Sequence, residues 1–164
     1  GGAMEKKVED YQAAFDLLFK TVVYTSELAL KGMIDQKYGR IINIASVSVK
    51  EPLSYLALSN SIRAAVTTWA KTLAADVGKY GITVNSTLTG YFDTERLKNL
   101  NSAKAKSFGI PMEEVNQQML NNVPIGRFGD PKEYGYLVAF LASEQASFIT
   151  GANIPIDGGM LKSV

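Results

Sequence analysis

The chain has 164 residues, 46% of them hydrophobic and 20% charged, a balance typical of one compact globular domain. Its 17 basic and 16 acidic side chains nearly cancel, so the charge indicates neither a nucleic acid nor a membrane surface as partner. The absence of cysteine and histidine excludes disulfides, thiolate chemistry and the commonest zinc ligands, and we predict no metal site. No apolar run approaches the ~20 residues of a membrane span and no signal-peptide pattern opens the chain, so we expect a cytoplasmic location.

The first half of the sequence alternates between helical and strand patterns. Apolar residues at intervals of three and four predict an amphipathic helix from Val8 to about Leu30. The β-branched run Arg40–Ala45 predicts a buried strand, followed by a loop to about Leu58. Helical spacing returns over Ser59–Val77, and Ile82–Thr87 predicts the second strand. The predicted order is therefore helix, strand, helix, strand.

The second half begins with a polar segment and ends with a strand. Residues 94–122 are rich in Lys and Asn and broken at Gly109–Pro111, which predicts a mobile cap of two short helices. Asp130 to Glu133 has the residues of a capping box with proline at the first helical position. Gly151–Asp157 predicts a third strand. Strands separated by helices form right-handed βαβ units, so we predict an α/β fold with three parallel strands and helices on both faces.

Five segments, in this order and spacing, resemble the short-chain dehydrogenase/reductase family, in particular its 3-oxoacyl carrier-protein reductase-like branch. They are Gly39–Ser46, Arg63–Val66, Gly81–Asn85, Pro124–Gly129 and Ile149–Gly159. The resemblance implies the C-terminal half of a Rossmann-like, doubly wound parallel sheet, here a single domain over residues 1–164 with a substrate cap at 94–122. It also implies NAD or NADP as cofactor and hydride transfer to or from a small carbonyl or hydroxyl substrate.

The family's glycine-rich first turn, which holds the cofactor pyrophosphate, has no counterpart in the sequence. Neither does the residue that selects NAD or NADP, so the choice between the two stays open. By resemblance Gly1 and Gly2 fall near the end of the family's fourth strand. The first strand of this chain would then lack a neighbour, and an exposed parallel edge is unfavourable. We therefore expect the chain to belong to a longer protein, or its edge to be covered by another chain or by rearrangement.

The family's catalytic residues are a serine, a tyrosine and a lysine, assisted by an asparagine on the preceding helix. Ser46 matches the serine at the carboxyl end of its strand; the alternative is a loop hydroxyl that caps local backbone. Ser59 stands at the tyrosine position, Arg63 at the lysine position and Leu18 at the asparagine position. A serine hydroxyl is a much weaker acid than a phenol, and a guanidinium does not release its proton. The alternatives are a helix N-cap for Ser59 and a solvated or interface charge for Arg63.

Other residues near the second strand complete the predicted site. The resemblance implies cofactor contacts from Arg63, which can donate to ribose hydroxyls, from the Thr89-Gly90-Tyr91 turn and from Thr94. Tyr91 or Tyr55 is a candidate to replace the missing phenol, and the alternative for both is pocket lining or packing.

The resemblance also implies a homodimer or homotetramer built through the helices at about 8–30 and 59–77. Trp69 suits such an interface or, alternatively, the core. Three functions remain open: an NAD(P)-dependent oxidoreductase with an altered proton donor, a family member that binds or assembles without hydride chemistry, and a fragment without a complete cofactor site. The substrate and the survival of hydride transfer are not determined by the sequence.

Overall fold

The computed structural model describes residues 1–163 and has one sheet of three strands. The strands are β1 (Gly39–Ser46), β2 (Ile82–Thr89) and β3 (Asn153–Ile156). The order is β1-β2-β3, and both pairs are parallel. This confirms the predicted α/β architecture.

Six α-helices connect and flank these strands within the described residues. They are α1 (Val8–Phe15), α2 (Thr21–Asp35), α3 (Ala57–Val77), α4 (Glu95–Phe108), α5 (Met112–Leu120) and α6 (Pro131–Ala142). Together, α1 and α2 are the single helix predicted from Val8, with a π-helical turn over Asp16–Lys20 between them. None of the described helices has the combination of length and apolar character that crossing a bilayer requires.

The two faces of β2 are covered by different helices. On one face Ile82 and Val84 pack against Ala70 and Ala74 of α3, and α2 adds Leu30 to the same cluster. The opposite face receives α6, whose Tyr134 reaches the side chain of Thr87. Every residue of β2 up to its last is buried, because the strand is covered on both faces and paired on both edges. Trp69 packs on the α3 cluster and edge-on against Phe19, as in the core alternative.

The predicted helix starts are partly right. Asp130 caps α6, Pro131 follows it, and Glu133 completes the capping box, as predicted. Helix α3, however, begins at Ala57, and its N-cap position is Leu56, which makes no side-chain cap. The N-cap alternative for Ser59 is therefore wrong, since the serine lies inside the first turn.

The polar segment folds as two helices that meet at a tight break. Helix α4 ends at Gly109, which has the left-handed φ of 63° that favours glycine, and Pro111 precedes α5. The helices are joined by a 2.8 Å hydrogen bond between side chains, which Asn101 Nδ2 donates to Asn116 Oδ1. Val115, which belongs to α5, is fully buried.

Among the described residues, strand β1 is paired along one edge only. A groove of about 410 Å³ lies between β1, the π-helical turn, α2 and α3, and its lining includes Leu18, Val22 and Ile41. Ile44 remains 53% exposed although it belongs to a strand of the sheet. The open edge therefore exposes apolar surface that a neighbouring strand would cover.

Candidate functional site

The carboxyl ends of β1 and β2 bring two predicted site residues side by side. Ser46 and Thr89 are direct partners in the parallel register. The Ser46 hydroxyl oxygen accepts a 3.2 Å hydrogen bond from the Ser48 amide, so it caps the short helical turn that follows β1. This is the local capping role, and it leaves the hydroxyl hydrogen of Ser46 free for another acceptor.

Arg63 connects helix α3 to the same end of β1. Its Nε donates to the Ser59 hydroxyl oxygen at 3.3 Å, and its Nη1 donates to the Ile44 carbonyl at 2.7 Å. Ser59 and Arg63 therefore lie together, and the carbonyl that Arg63 reaches belongs to the residue two positions before Ser46. These contacts hold the guanidinium against the protein backbone.

Tyr91 follows β2 and faces Tyr55, which belongs to the loop before α3. Burial of the half-buried Tyr91, together with the Tyr55 phenol beside it, raises the pKa of Tyr91 to about 12. Tyr55 is 55% exposed, so the pair is open to solvent on the Tyr55 side. The two candidate phenols are thus brought together, and Tyr91 stays protonated across the neutral range.

The backbone around Tyr91 is closely held. The Gly90 amide donates to the Ile156 carbonyl at 3.0 Å, and a Cβ at Gly90 would lie 2.6 Å from the Asp157 Cα. The Gly129 amide donates to the Tyr91 carbonyl at 2.9 Å. Glycine is required at position 90 because β3 approaches so closely there.

Thr94, predicted to contact the cofactor, is the N-cap of α4. Its hydroxyl oxygen accepts from the Leu97 amide at 3.2 Å. Beside it, Lys98 forms an exposed ion pair with Asp93 at 3.1 Å. The Thr94 hydroxyl still has a hydrogen to donate from the start of the segment that we predicted as a cap.

A cavity of about 220 Å³ adjoins Tyr91 at the ends of β2 and β3. Phe92, Val123, Ile125 and Ile156 form its apolar lining, and Arg127, Glu133 and Asp157 form its polar rim. It lies against the predicted site and can receive part of a small organic molecule.

Tyr134 is a site residue that the sequence reasoning missed. Its hydroxyl contacts the Thr87 hydroxyl and lies 2.9 Å from the Thr89 hydroxyl. A signal was present, because Tyr134 precedes Leu137, Val138 and Leu141 at intervals of three, four and seven and so belongs to the buried stripe of α6. The threonine partners were not visible, because they lie on another element.

Glu51 is a second residue without a sequence prediction. Its carboxylate accepts the amides of Lys162 and Ser163, both at 2.8 Å, which lowers the pKa of the Glu51 carboxyl. The tail before them packs Met160 and Leu161 on the buried cluster at the ends of β1 and β2. The loop after Ser46 and the tail thus support each other beside the site.

The described residues hold no group of three or more histidine, cysteine, aspartate or glutamate side chains arranged for a metal ion. The functional groups at this edge are serine and threonine hydroxyls, the Arg63 guanidinium and the phenols of Tyr55, Tyr91 and Tyr134. These polar side chains follow the carboxyl ends of parallel strands in an α/β fold. This arrangement indicates a protein that binds a ligand at the carboxyl edge of its sheet.

A protein-family model described as enoyl-(acyl carrier protein) reductase matches residues 1–161. The chain belongs to the short-chain dehydrogenase/reductase family. The 3-oxoacyl-(acyl-carrier-protein) reductase FabG of Rickettsia conorii is 33% identical over 159 residues, which are 97% of this chain and 61% of the relative. The NADPH-dependent reductase BacG of Bacillus subtilis is 34% identical, over 96% of this chain and 61% of the relative.

Solved structures of reductases also superpose on nearly the whole of this chain. An L-sorbose reductase from Gluconobacter frateurii, crystallised with NADPH and L-sorbose, superposes with a TM-score of 0.94 at 32% identity, over 100% of this chain and 63% of that one. YwfH, an NADPH-dependent reductase involved in bacilysin biosynthesis, superposes with a TM-score of 0.93 at 30% identity, over 99% and 63%. The chain therefore spans less than two thirds of the length of these proteins.

Proposed function

We propose that the protein containing this chain is an oxidoreductase that transfers hydride between NAD or NADP and a small substrate with a carbonyl or hydroxyl group. The observation that carries the proposal is the row of hydroxyls at the carboxyl edge, where Ser46 lies opposite Thr89 and Tyr91 follows. Similarity to reductases described as NADPH-dependent supports the same reaction class. The names of the relatives differ in substrate, so the substrate class stays at a small carbonyl or hydroxyl compound.

The residues of this chain fit one end of a nicotinamide cofactor. Thr94 and the Gly90-Tyr91 turn lie where the resemblance implies contacts to the nicotinamide side. Arg63 would donate to ribose hydroxyls through the N–H groups that do not bond to Ser59 or to the Ile44 carbonyl. The pyrophosphate needs a glycine-rich turn before a helix, and neither β1 nor β2 leads into one. The bound cofactor would supply or accept the hydride.

Reduction of a carbonyl places negative charge on its oxygen, and that oxygen then needs a proton. We assign this proton to the Tyr91 phenol, because Ser59 is a far weaker acid and Arg63 does not release a proton. An alkoxide is much more basic than a phenolate, so the transfer from Tyr91 remains favourable even though burial raises the pKa of Tyr91 to about 12. Ser46 donates a second hydrogen bond to the same oxygen and so helps to orient it.

The hydrogen bonds of Arg63 favour a second function, that of a protein that binds or assembles without hydride transfer. Arg63 is held by Ser59 and by the Ile44 carbonyl. A family member that kept this arrangement while binding a cofactor or metabolite would act as a binding or assembly protein without turnover. Cofactor binding and turnover therefore have to be measured separately.

The test uses the complete protein that contains this chain. NADPH and NADH are titrated by fluorescence, and oxidation of the bound dinucleotide is then followed with a panel of small ketones and aldehydes. We expect one dinucleotide to bind and at least one carbonyl to be reduced. Binding without any turnover favours the binding protein, and absence of binding to both dinucleotides overturns the proposal.

Two structural roles belong to this proposal. Helices α4 and α5 would close over the substrate as a cap, since they are rich in polar residues and α4 follows its N-cap Thr94 shortly after the carboxyl end of β2. Copies of the chain would associate through α1, α2 and α3, where Val8, Tyr24 and Leu28 are exposed.

A further inference from the structure

Three hydroxyls and one carbonyl form a continuous chain of hydrogen bonds beneath the proposed site. The Thr87 hydroxyl is within 3.3 Å of the Asn43 carbonyl, to which it can only donate. A hydroxyl has a single hydrogen, so Thr87 must accept from Tyr134, and Tyr134 in turn must accept from Thr89. The direction is therefore fixed from Thr89 through Tyr134 and Thr87 to Asn43. Thr87 is fully buried, which makes an unpaired hydroxyl there costly.

The ring of Tyr134 also holds the segment after β2. It packs edge-on against Phe92 with 5.2 Å between the ring centroids. Phe92 forms an isolated parallel bridge with Gly129, and the Asp93 amide donates to the Gly129 carbonyl at 2.9 Å. Tyr134 thus contacts Thr89 and Phe92, the two residues that flank Gly90 and Tyr91.

We propose that Tyr134 is a positioning residue, which fixes Thr89 by its hydroxyl and Phe92 by its ring and so places the Tyr91 phenol at the carboxyl edge of the sheet. The inference deepens the proposed function and rests on it, because Tyr91 is the proton donor there. Tyr134 itself lies below the sheet edge and acts through the backbone of residues 89–92. Removal of the Tyr134 hydroxyl breaks the chain of hydrogen bonds, whereas the Tyr134 ring can remain in place.

The first experiment removes the Tyr134 hydroxyl in the complete protein as Tyr134→Phe. We expect kcat to fall about tenfold, the loss typical of a broken buried hydrogen bond, while the dissociation constant of NADPH changes less than about twofold. Since Tyr134 acts through Tyr91, the same substitution in a Tyr91→Phe background should lower kcat no further. An equal fall in both backgrounds would show a general structural role and overturn the proposal.

The second experiment does not depend on turnover. Hydrogen exchange of the Gly90, Asp93 and Gly129 amides reports the three backbone bonds that hold the segment. In Tyr134→Phe we expect these amides to exchange about tenfold faster. The matched control, Tyr136→Phe on the same helix, removes a phenol hydroxyl from a residue that is 70% exposed and should leave them unchanged. Unchanged exchange in Tyr134→Phe overturns the proposal.

A second pair of variants tests the other end of the chain of hydrogen bonds. Thr89→Val removes the hydroxyl that donates to Tyr134 and should accelerate the same amides, whereas Thr89→Ser keeps the hydroxyl and should restore them. If the wild-type protein neither binds a dinucleotide nor reduces a carbonyl, the proposed function is wrong. The proposed effect of Tyr134 on proton donation by Tyr91 is then wrong as well. The exchange data would then still decide whether Tyr134 holds the segment.

Discussion

Single hydroxyl groups decide what the carboxyl edge of this sheet can do. At the position where the resemblance implies a tyrosine, this chain has Ser59, whose hydroxyl oxygen accepts a hydrogen bond from Arg63 Nε. The phenol on the opposite strand end, Tyr91, is half-buried beside Tyr55. The proposed reaction therefore places its acid on the segment after β2 instead of on α3, which changes the side from which the substrate oxygen receives its proton.

The first prediction concerns this phenol. Tyr91→Phe should lower kcat by about two orders of magnitude, the usual contribution of a general acid, and leave dinucleotide binding nearly unchanged. Tyr55→Phe should have the smaller effect, since it removes only a neighbour that raises the pKa of Tyr91. Steady-state kinetics with the exposed Tyr136→Phe as control would measure both. Full activity in Tyr91→Phe would exclude the phenol as the acid.

The resemblance was sufficient to name Ser46, Ser59 and Arg63, but not their contacts. Arg63 bonds to the Ile44 carbonyl, and this carbonyl belongs to the backbone of another element, which no side-chain pattern indicates. Tyr134 was missed for the same reason, since its threonine partners lie more than forty positions earlier. Contacts between distant elements depend on how the elements pack, and spacing along one element does not contain that information.

Among the helices, polar residues in the sequence predicted a helix start correctly only where a polar side chain caps the helix. Asp130 and Glu133 do so for α6, and that start was predicted correctly. Helix α3 begins after Leu56, which has no capping side chain, and the nearest polar residues, Ser59 and Asn60, drew the predicted start inward. The π-helical turn over Asp16–Lys20 was not predicted, because Phe15, Leu18 and Val22 keep intervals of three and four through it.

The start of α6 gives a prediction about pH. Arg127 and the Asp130 amide hold the pKa of the Glu133 carboxyl at about 2, below its usual 4.5. The stability from these bonds is complete above about pH 4.5 and is lost as the pH falls towards 2, because the folded state must then take up a proton against them. In Glu133→Gln the melting temperature should therefore fall less over this range than in the wild type.

Thermal melts at successive pH values would measure the difference. The control is Glu113→Gln, which removes an exposed carboxylate from the first turn of α5. Because Arg127 and Glu133 are both partly exposed, the difference should shrink as salt is added. Identical pH profiles for Glu133→Gln and the wild type would show that the ion pair does not act on folding.

For the whole molecule, the alternation of helical and strand patterns predicted a parallel sheet, and the structure confirms it. That prediction succeeded because each strand is a short apolar run with helices between, which leaves few ways to pair them. The open edge of β1 was also expected from the resemblance. The groove beside that edge combines apolar side chains such as Leu17 and Val22 with the polar side chains of Thr25 and Arg63.

The exposed apolar side chains on α2 give a prediction about association. Tyr24 and Leu28 are 62% and 65% exposed and lie one helical turn apart. Tyr24→Glu with Leu28→Glu in the complete protein should convert a dimer or tetramer to a smaller species, because charges would be buried in the interface. Light scattering would measure the mass, with Leu100→Glu on α4 as control. A wild-type monomer would contradict the proposed association.

The position of β2 in the sheet has a consequence for synthesis. Its backbone pairs with both neighbouring strands, and the Asn85 side-chain amide donates to the Ile149 carbonyl and accepts from the Ala152 amide. While a ribosome is still translating the α6 region, these partners do not exist, and the polar centre of β2 remains hydrated. The edge that bears Thr89 and Tyr91 is therefore among the last parts of the nascent chain to take shape.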